Sequence, residues 1–292
     1  DSGDFLKVWD NLLSHVDLPN FRKRQEAVRR NEGRYIGIGF GVGVELSGVS
    51  SELLVPMENQ PGYGAATIRL DARGKAHVFE GDAPQGQGHE TTAAQAVAHV
   101  FGIHPNDVVV TTGDTGTTPF GSGTIGARMG SYFVSAAVEA ANVLRRKIIK
   151  FMAHDFDLTN TTEEDFEFAN GEIIYIKDPN VRQSFCDACE RNIMAPINLP
   201  PGETAGLEHT AFFEAEKPMI AFNADACTVE VNPDTGQFKI LNWTSSEDVG
   251  QIINPQIVEG QMQGAIIQGI SNTVFEEFVY DENGQQITAD LE

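Results

Sequence analysis

Hydrophobic and polar positions follow two distinct periods along the chain. Phe5, Val8, Trp9, Leu12, Leu13 and Val16 recur at helical spacing, which predicts an amphipathic helix ending near Pro19, with a charged helix over 21–30 after it. From 35 to 45 glycine alternates with Ile36, Ile38, Phe40, Val42 and Val44, the period of a strand with one nearly bare face. Another backbone, or a ligand, packed close to that face is the expected reason for the glycines. A Pro/Gly loop over 56–64 follows, then alternating runs at 66–70 and 76–80 that predict a hairpin, and a short strand at 108–110.

Further helices are expected where Ala94, Val97, Ala98 and Phe101 recur, over 131–151, and over 184–194. The second half is richer in strands: a hairpin over 167–176 turning at Asn170-Gly171, then strands at 207–214, 219–231 and 238–244. A helix bearing Ile257, Gln261, Gly264, Ala265 and Gln268 precedes an expected final strand running up to Val279. Hairpins and helices thus alternate without a regular βαβ repeat, which predicts an α+β fold of mixed sheets with flanking helices. The chain reads as one segment, 1–292, folded as two lobes of about 1–155 and 170–292 around a shared cleft.

Charge narrows the function. With 42 acidic and 20 basic residues among 292, the formal net charge is -22, which disfavours a sequence-independent grip on nucleic acid or on an anionic membrane surface. Anionic ligands must therefore be held locally. No apolar run approaches the roughly 20 residues that span a bilayer, and no secretory signal precedes Phe5, so a cytoplasmic location is expected. Cys186, Cys189 and Cys227 are too few for a disulfide framework, and Cys186-x-x-Cys189 lacks the second half of a zinc site, so all three are expected to be structural thiols.

Three loops carry the candidate chemistry. Gly81 to Gln95 reads as strand, glycine loop and helix, in which Gly86 and Gly88 leave the main chain open and the helix start offers unpaired N–H groups to an anion. Gln87 both donates and accepts, which suits the edge of a polar ring, although a tight turn with a solvated glutamine explains the same residues. The glycine- and hydroxyl-rich stretch from Thr111 to Arg128 is either a surface loop or a phosphate seat built from Thr124, the N–H groups after it and Arg128. The third loop, Ser246 to Pro255, leads into a helix whose Gln261 and Gln268 share one face.

Together, Gln85-Gly-Gln-Gly-His-Glu-Thr-Thr92, Gly123-Thr-Ile-Gly-Ala-Arg128, and Asp248-Val-Gly followed by Asn254-Pro255 and Gln268-Gly269 closely resemble the molybdenum hydroxylase large subunit. That family contains xanthine dehydrogenase, aldehyde oxidase and aerobic carbon monoxide dehydrogenase, and the wording of the first motif is closest to the last and its bacterial relatives. The resemblance runs over nearly the whole chain. It implies that Gln87, Gly88, Thr124, Ile125 and Gly126 contact the molybdenum cofactor. It implies the same for Ala127, Arg128, Asp248, Val249, Asn254 and Gln268. The cofactor implied is molybdopterin with molybdenum, in the cytosine dinucleotide form used by bacteria.

The resemblance further implies oxidation or hydroxylation of a carbonyl compound, carbon monoxide or an N-heterocycle, with water as the oxygen source. Electrons would leave through 2Fe-2S clusters to FAD on partner subunits, within an oligomer. The family's general-base glutamate is expected beyond Glu292 and the loop over the metal before Asp1, so the chain reads as a piece of a larger subunit, inactive alone. Two other classes compete. A nucleotide- or anion-binding module without redox chemistry needs the same loops, and a hydrolase would need a metal on His89 and Glu90, which lack the spacing of a zinc site.

Overall fold

The computed structural model describes residues 3–54, 62–118, 120–195 and 197–288. One residue sets the first two helices. Asp17, in the left-handed region, ends α1 (Phe5–Val16) by donating its N–H to the Leu13 carbonyl, and its carboxylate accepts from Asn20 N to cap α2 (Leu18–Glu32). Pro19 therefore sits in the first turn of α2, where a missing N–H costs nothing.

Strand β1 (Tyr35–Gly48) follows, then the short helix α3 (Ser51–Leu54), β2 (Tyr63–Leu70) and β3 (Ala76–Glu80). Most of the expected loop over 56–64 lies outside the described residues. Next come α4 (His89–Phe101), β4 (Val108–Thr112) and the long α5 (Met129–Asp155). Strands β5 (Phe166–Ala169), β6 (Glu172–Tyr175) and β7 (Arg182–Ser184) precede α6 (Phe185–Met194), whose N-cap is Ser184. The chain continues through β8 (Glu208–Glu214), β9 (Met219–Val231), β10 (Phe238–Asp248) and α7 (Pro255–Val274).

Among the described residues three sheets result, in the orders β1-β9-β10, β4-β3-β2-β8 and β5-β6-β7. Pairing is antiparallel except between β3 and β4, which run parallel on either side of α4. That single βαβ unit is the regular element the sequence reading did not anticipate. The sheets also do not follow a division near Asp155, because β1 pairs with β9 and β2 with β8 across the sequence.

The main core lies where α4 and α5 cover the four-stranded sheet. Ala136, Ala137, Ala140 and Ala141 are fully buried on α5, and their small side chains let the helix lie close to Ile68 and Val78 of the sheet. Phe101, Leu144, Ile148 and Phe185 fill the remaining space. Each such side chain contributes roughly 1.5–3 kcal/mol on burial. A second, smaller core joins Val8 and Leu12 of α1 to Ala224 and Ala226 of β9. The start of α5 ties the two sheets together, since Tyr132 Oη exchanges hydrogen bonds with the main chain of Val49 and Ser131 Oγ donates to Ser47 O.

Two expectations are corrected. The bare face of β1 is open only at its middle, where a Cβ built on Gly39 or Gly41 meets nothing within 4 Å; at Gly43 the Asn223 side chain, and not another backbone, packs close to such a Cβ. After α7, a tight turn closed by Gly284 N and a single bridge between Tyr280 and Gln286 replace the final strand. Among the described residues the apolar run there has no neighbouring strand to complete a ladder. Among the described residues no helix is long and apolar enough to cross a membrane.

Candidate cofactor site

The alternation Ala76, Val78, Glu80 along β3 carries an acid onto the core face, where Glu80 is 1% exposed. Asp82, two residues on, is also buried, and its N–H donates to Glu80 Oε1 at 2.9 Å. Burial, with the Asp82 carboxylate beside it, pushes the Glu80 carboxyl up to about 8.

From Gly81 the chain enters the glycine loop, and at this point the second loop lies against it main chain to main chain. A Cβ built on Gly81 would fall 2.4 Å from Phe120 O and 2.6 Å from Gly121 N. Three hydrogen bonds hold the pair together. Gly123 N donates to Asp82 Oδ1, Thr124 Oγ1 to Ala83 O at 2.6 Å, and Gln85 Nε2 to Thr124 O at 3.2 Å. The second loop is further pinned by Phe120, whose ring centroid lies 4.9 Å from that of Tyr63 on β2. Its earlier part is folded too, with Asp114 closing turns onto Gly116 and Thr118.

The main chain of Ile125, Gly126 and Ala127 is exposed, and among the described residues its N–H groups donate no hydrogen bond. Behind them Arg128 is 7% exposed. Its guanidinium is turned inward: Nη2 donates to Ser122 Oγ and lies 3.7 Å from Asp82 Oδ2, and Cζ sits 5.2 Å from the centre of the Tyr132 ring. With the Arg128 charge met by Asp82, the row of N–H groups itself offers the local positive partial charge on a chain that is acidic elsewhere.

Gln87 is half-buried, and its Oε1 accepts from Gln85 N at 2.6 Å, which leaves its Nε2 as a donor. Gly88 is the N-cap of α4, with φ +77 and no side-chain cap, so the first N–H groups of that helix are open. His89 follows, 4% exposed, its ring 6.3 Å from Phe133, with neither nitrogen hydrogen-bonded among the described residues. Burial holds this imidazole below its usual range, hence neutral. No group of three or more His, Cys, Asp or Glu side chains is gathered into a metal site among the described residues.

The third loop meets the first at two points. Asn254 caps α7, accepting from Ile257 N, and donates from Nδ2 to Gln95 Oε1 on α4, while Ile257 Cδ1 lies 2.7 Å from where a Cβ on Gly88 would be. Gln87, Gly88, Thr124, Ile125, Gly126, Ala127, Arg128 and Asn254 thus stand in one neighbourhood. Asp248 closes its own turn onto Gly250 N at the end of β10, beside the exposed Val249. Gln268 is exposed on α7, a helix that buries no side chain. No hydrogen bond or ion pair joins Asp248, Val249 or Gln268 to the first two loops among the described residues. A surface cavity of about 470 Å³ lined by His99, Arg145 and Phe168 lies at the other end of α4 and shares no residue with these loops.

The donor set fits an anionic, ring-bearing cofactor. It offers main-chain N–H groups for oxyanions, an amide for a ring edge, and open space where a Cβ on Gly86 or Gly123 meets nothing within 4 Å. On the far side of Gly126 the space is bounded by Glu45, whose Oε1 lies 3.9 Å from a Cβ built there. The sequence reading missed Glu80 and Asp82. The available signal was an acid at a core position of a strand.

Comparison with known proteins gives the chain's family. The chain is 35% identical over 289 residues to the nicotine 6-hydroxylase large subunit of Paenarthrobacter nicotinovorans, covering 99% of this chain and 35% of that one. It is 29% identical over 286 residues to the carbon monoxide dehydrogenase large chain of Hydrogenophaga pseudoflava, covering 97% and 35%. The crystal structure of quinoline 2-oxidoreductase from Pseudomonas putida 86 superposes with a TM-score of 0.89 at 33% identity, over 99% of this chain and 36% of that one. The chain therefore spans about a third of the length of these relatives. A family model described as the molybdopterin cofactor-binding domain matches residues 11–292, and the chain belongs to that family.

Proposed function

We propose that this chain forms the cofactor cradle of a molybdenum hydroxylase whose substrate is a small N-heteroaromatic ring. The observation that carries the cradle is the row of free main-chain N–H groups at Ile125, Gly126 and Ala127, held against the Gln87 loop. In this reading those N–H groups and Thr124 hold the phosphate of molybdopterin, and Gln87 and Gly88 hold the pterin edge. Asn254, Asp248, Val249 and Gln268 face the remaining edge and an attached cytosine nucleotide. The higher identity to the nicotine and quinoline enzymes than to carbon monoxide dehydrogenase favours a ring substrate.

When bound, molybdopterin supplies the two-electron redox chemistry by which a water-derived oxygen reaches a ring carbon. The chain's own part is to orient the cofactor through neutral donors and to keep its anionic groups away from the acidic surface. No catalytic base is assigned within the chain. Alone it binds and does not turn over, and 2Fe-2S and FAD subunits complete the enzyme in the cytoplasm.

The test is to purify the full gene product from its native host with its neighbouring subunits, then to assay molybdenum and released pterin nucleotide. Molybdenum in a one-to-one ratio with the subunit supports the proposal, and turnover of an N-heterocycle by the same sample supports the substrate class. A folded complex without either, from cells that make the cofactor, overturns it in favour of an anion-binding module.

A further inference from the structure

Beneath the two cofactor loops lie three ionisable side chains that the binding chemistry does not use. Glu80 and Asp82 are 1% and 3% exposed and Arg128 is 7% exposed, yet all three meet in one spot at the joint between the loops. Asp82 binds both partners of that joint: one oxygen accepts from Gly123 N of the second loop and the other faces the Arg128 guanidinium at 3.7 Å. Arg128 in turn donates to Ser122 of the same loop, so its charge is spent inward, and its Nε has no partner among the described residues. Glu80 holds Asp82 from below by accepting its N–H, with Oε2 buried and unpartnered among the described residues.

We infer that Glu80 and Asp82 are positioning residues which, through Arg128, lock the second loop in the shape that turns the N–H groups of 125–127 toward the cofactor. The inference rests on the cofactor reading above, and it gives Arg128 the role of a strut where the family resemblance implies a direct contact.

Charge accounting explains why Glu80 is needed as an acid and not as an anion. One guanidinium and one carboxylate neutralise each other, so a proton on Glu80 keeps the buried cluster neutral. The charged or titratable groups around it are few. Asp82 stands on its own loop, Arg128 and Tyr132 come from the start of α5, and neutral His89 faces Asp82 from α4. Its cross-strand neighbours, Ala66 and Thr112, carry no charge. Ionising Glu80 leaves a net negative charge under the seat of an anion, and the Arg128 charge is divided between two carboxylates.

The test uses the full gene product with its cofactor, in wild type and in Asp82→Asn, Glu80→Ala and Glu80→Gln. Release of pterin fluorescence into the filtrate is timed from about pH 6.5 to 9, with the circular dichroism and unfolding midpoint of cofactor-free protein as controls. Asp82→Asn and Glu80→Ala are expected to lose pterin about 10-fold faster or more, with the cofactor-free protein unfolding as before, while Glu80→Gln is rescued. Wild-type release is expected to quicken as pH passes about 8, where Glu80 ionises, and release from Glu80→Gln to stay flat. Wild-type retention by Asp82→Asn and Glu80→Ala overturns the inference and leaves the cofactor reading intact. If Asp82→Asn does not fold, the pH profile decides, and a flat wild-type profile overturns it. Wild-type protein without pterin removes the cofactor reading itself, and this inference with it.

Discussion

Asn254 Nδ2 donates to Gln95 Oε1 at 2.9 Å, and this hydrogen bond ties the start of α7 to α4 across 159 residues of sequence. The same asparagine caps α7 by accepting from Ile257 N at 3.1 Å. Asn254→Ala removes both bonds, at about 1 kcal/mol for the cap and a similar amount for the tether. Because α7 buries no side chain, the loss is expected to be local. Hydrogen exchange in 255–262 should quicken about 10-fold while the unfolding midpoint of the core moves little. Asn254→Asp keeps the cap, and Gln95 can turn its amide to donate, so its exchange should stay near that of wild type. Equal protection in wild type and Asn254→Ala would show that the tether holds nothing.

Two glycines of the first loop are expected to differ in what a methyl group does. At Gly81 the added Cβ meets the main chain of Phe120 and Gly121, which no rotamer change relieves. Gly81→Ala should cost more than about 3 kcal/mol, at the high end for a single substitution. At Gly88 the obstacle is Ile257 Cδ1, the mobile end of a side chain, added to a φ of +77. Gly88→Ala should cost roughly 1–2 kcal/mol from the backbone, and Ile257→Val, which removes Cδ1, should recover whatever exceeds that. Denaturant unfolding of the four proteins measures both terms, and an absence of recovery would place the whole cost in the backbone.

Much of this architecture was legible because period and burial coincide. Val8 and Leu12 lie at helical spacing and are the residues that α1 buries, and Ala76 and Val78 alternate as β3 requires. The glycine loops stood out as candidate ligand loops because Gly86, Gly88 and the run to Arg128 lie between regular elements with few side chains to cover the main chain. What was not legible depends on partners far away in sequence. The parallel pairing of β3 with β4 is decided by how α4 packs, and the Gln95 to Asn254 bond has no local signature. Phe275, Phe278 and Tyr280 read as a strand on apolar content alone, yet a strand needs a neighbour with free N–H and C=O groups. Glu80 is legible only through its register: an acid in phase with Ala76 and Val78 marks a buried charge, but the glycines after it carry the stronger local signal.

The thiols are expected to separate by burial. Cys189 is fully buried on α6, and desolvation, with Cys186 nearby, pushes its thiol up to about 12. Cys186, one turn earlier, is exposed, and Cys227 on β9 is half-buried with a raised thiol. The thiolate is the reactive form, so at pH 8 an alkylating reagent should modify Cys186 first, Cys227 slowly, and Cys189 only on unfolding. Peptide mass spectrometry over time reads the order. Early modification of Cys189 would mean that α6 opens far more readily than its packing against Phe101 and Phe168 through Phe185 implies.

Glu80 also makes a definite statement about stability and pH. Its carboxyl titrates near 4.5 when unperturbed and at about 8 in the folded protein, so the folded state holds the proton more tightly. The stabilisation this gives is complete below about 4.5, declines as pH rises, and is lost by about 8. Carboxylates held low work in the opposite sense: Asp165, lowered by Lys177, stabilises above its unperturbed value and loses that effect as pH falls. These other groups are common to wild type and Glu80→Gln, so the difference between the two isolates Glu80. Glutamine keeps the shape and the acceptor for Asp82 N without a proton to lose. Its advantage over wild type is therefore expected to grow from about pH 4.5, reach at most about 5 kcal/mol, and level off above about pH 8. Unfolding midpoints of the two proteins across that range test this directly. Parallel curves would mean that Glu80 ionises as readily in the folded protein as in the unfolded chain, and the neutral cluster under the loops would have to be abandoned.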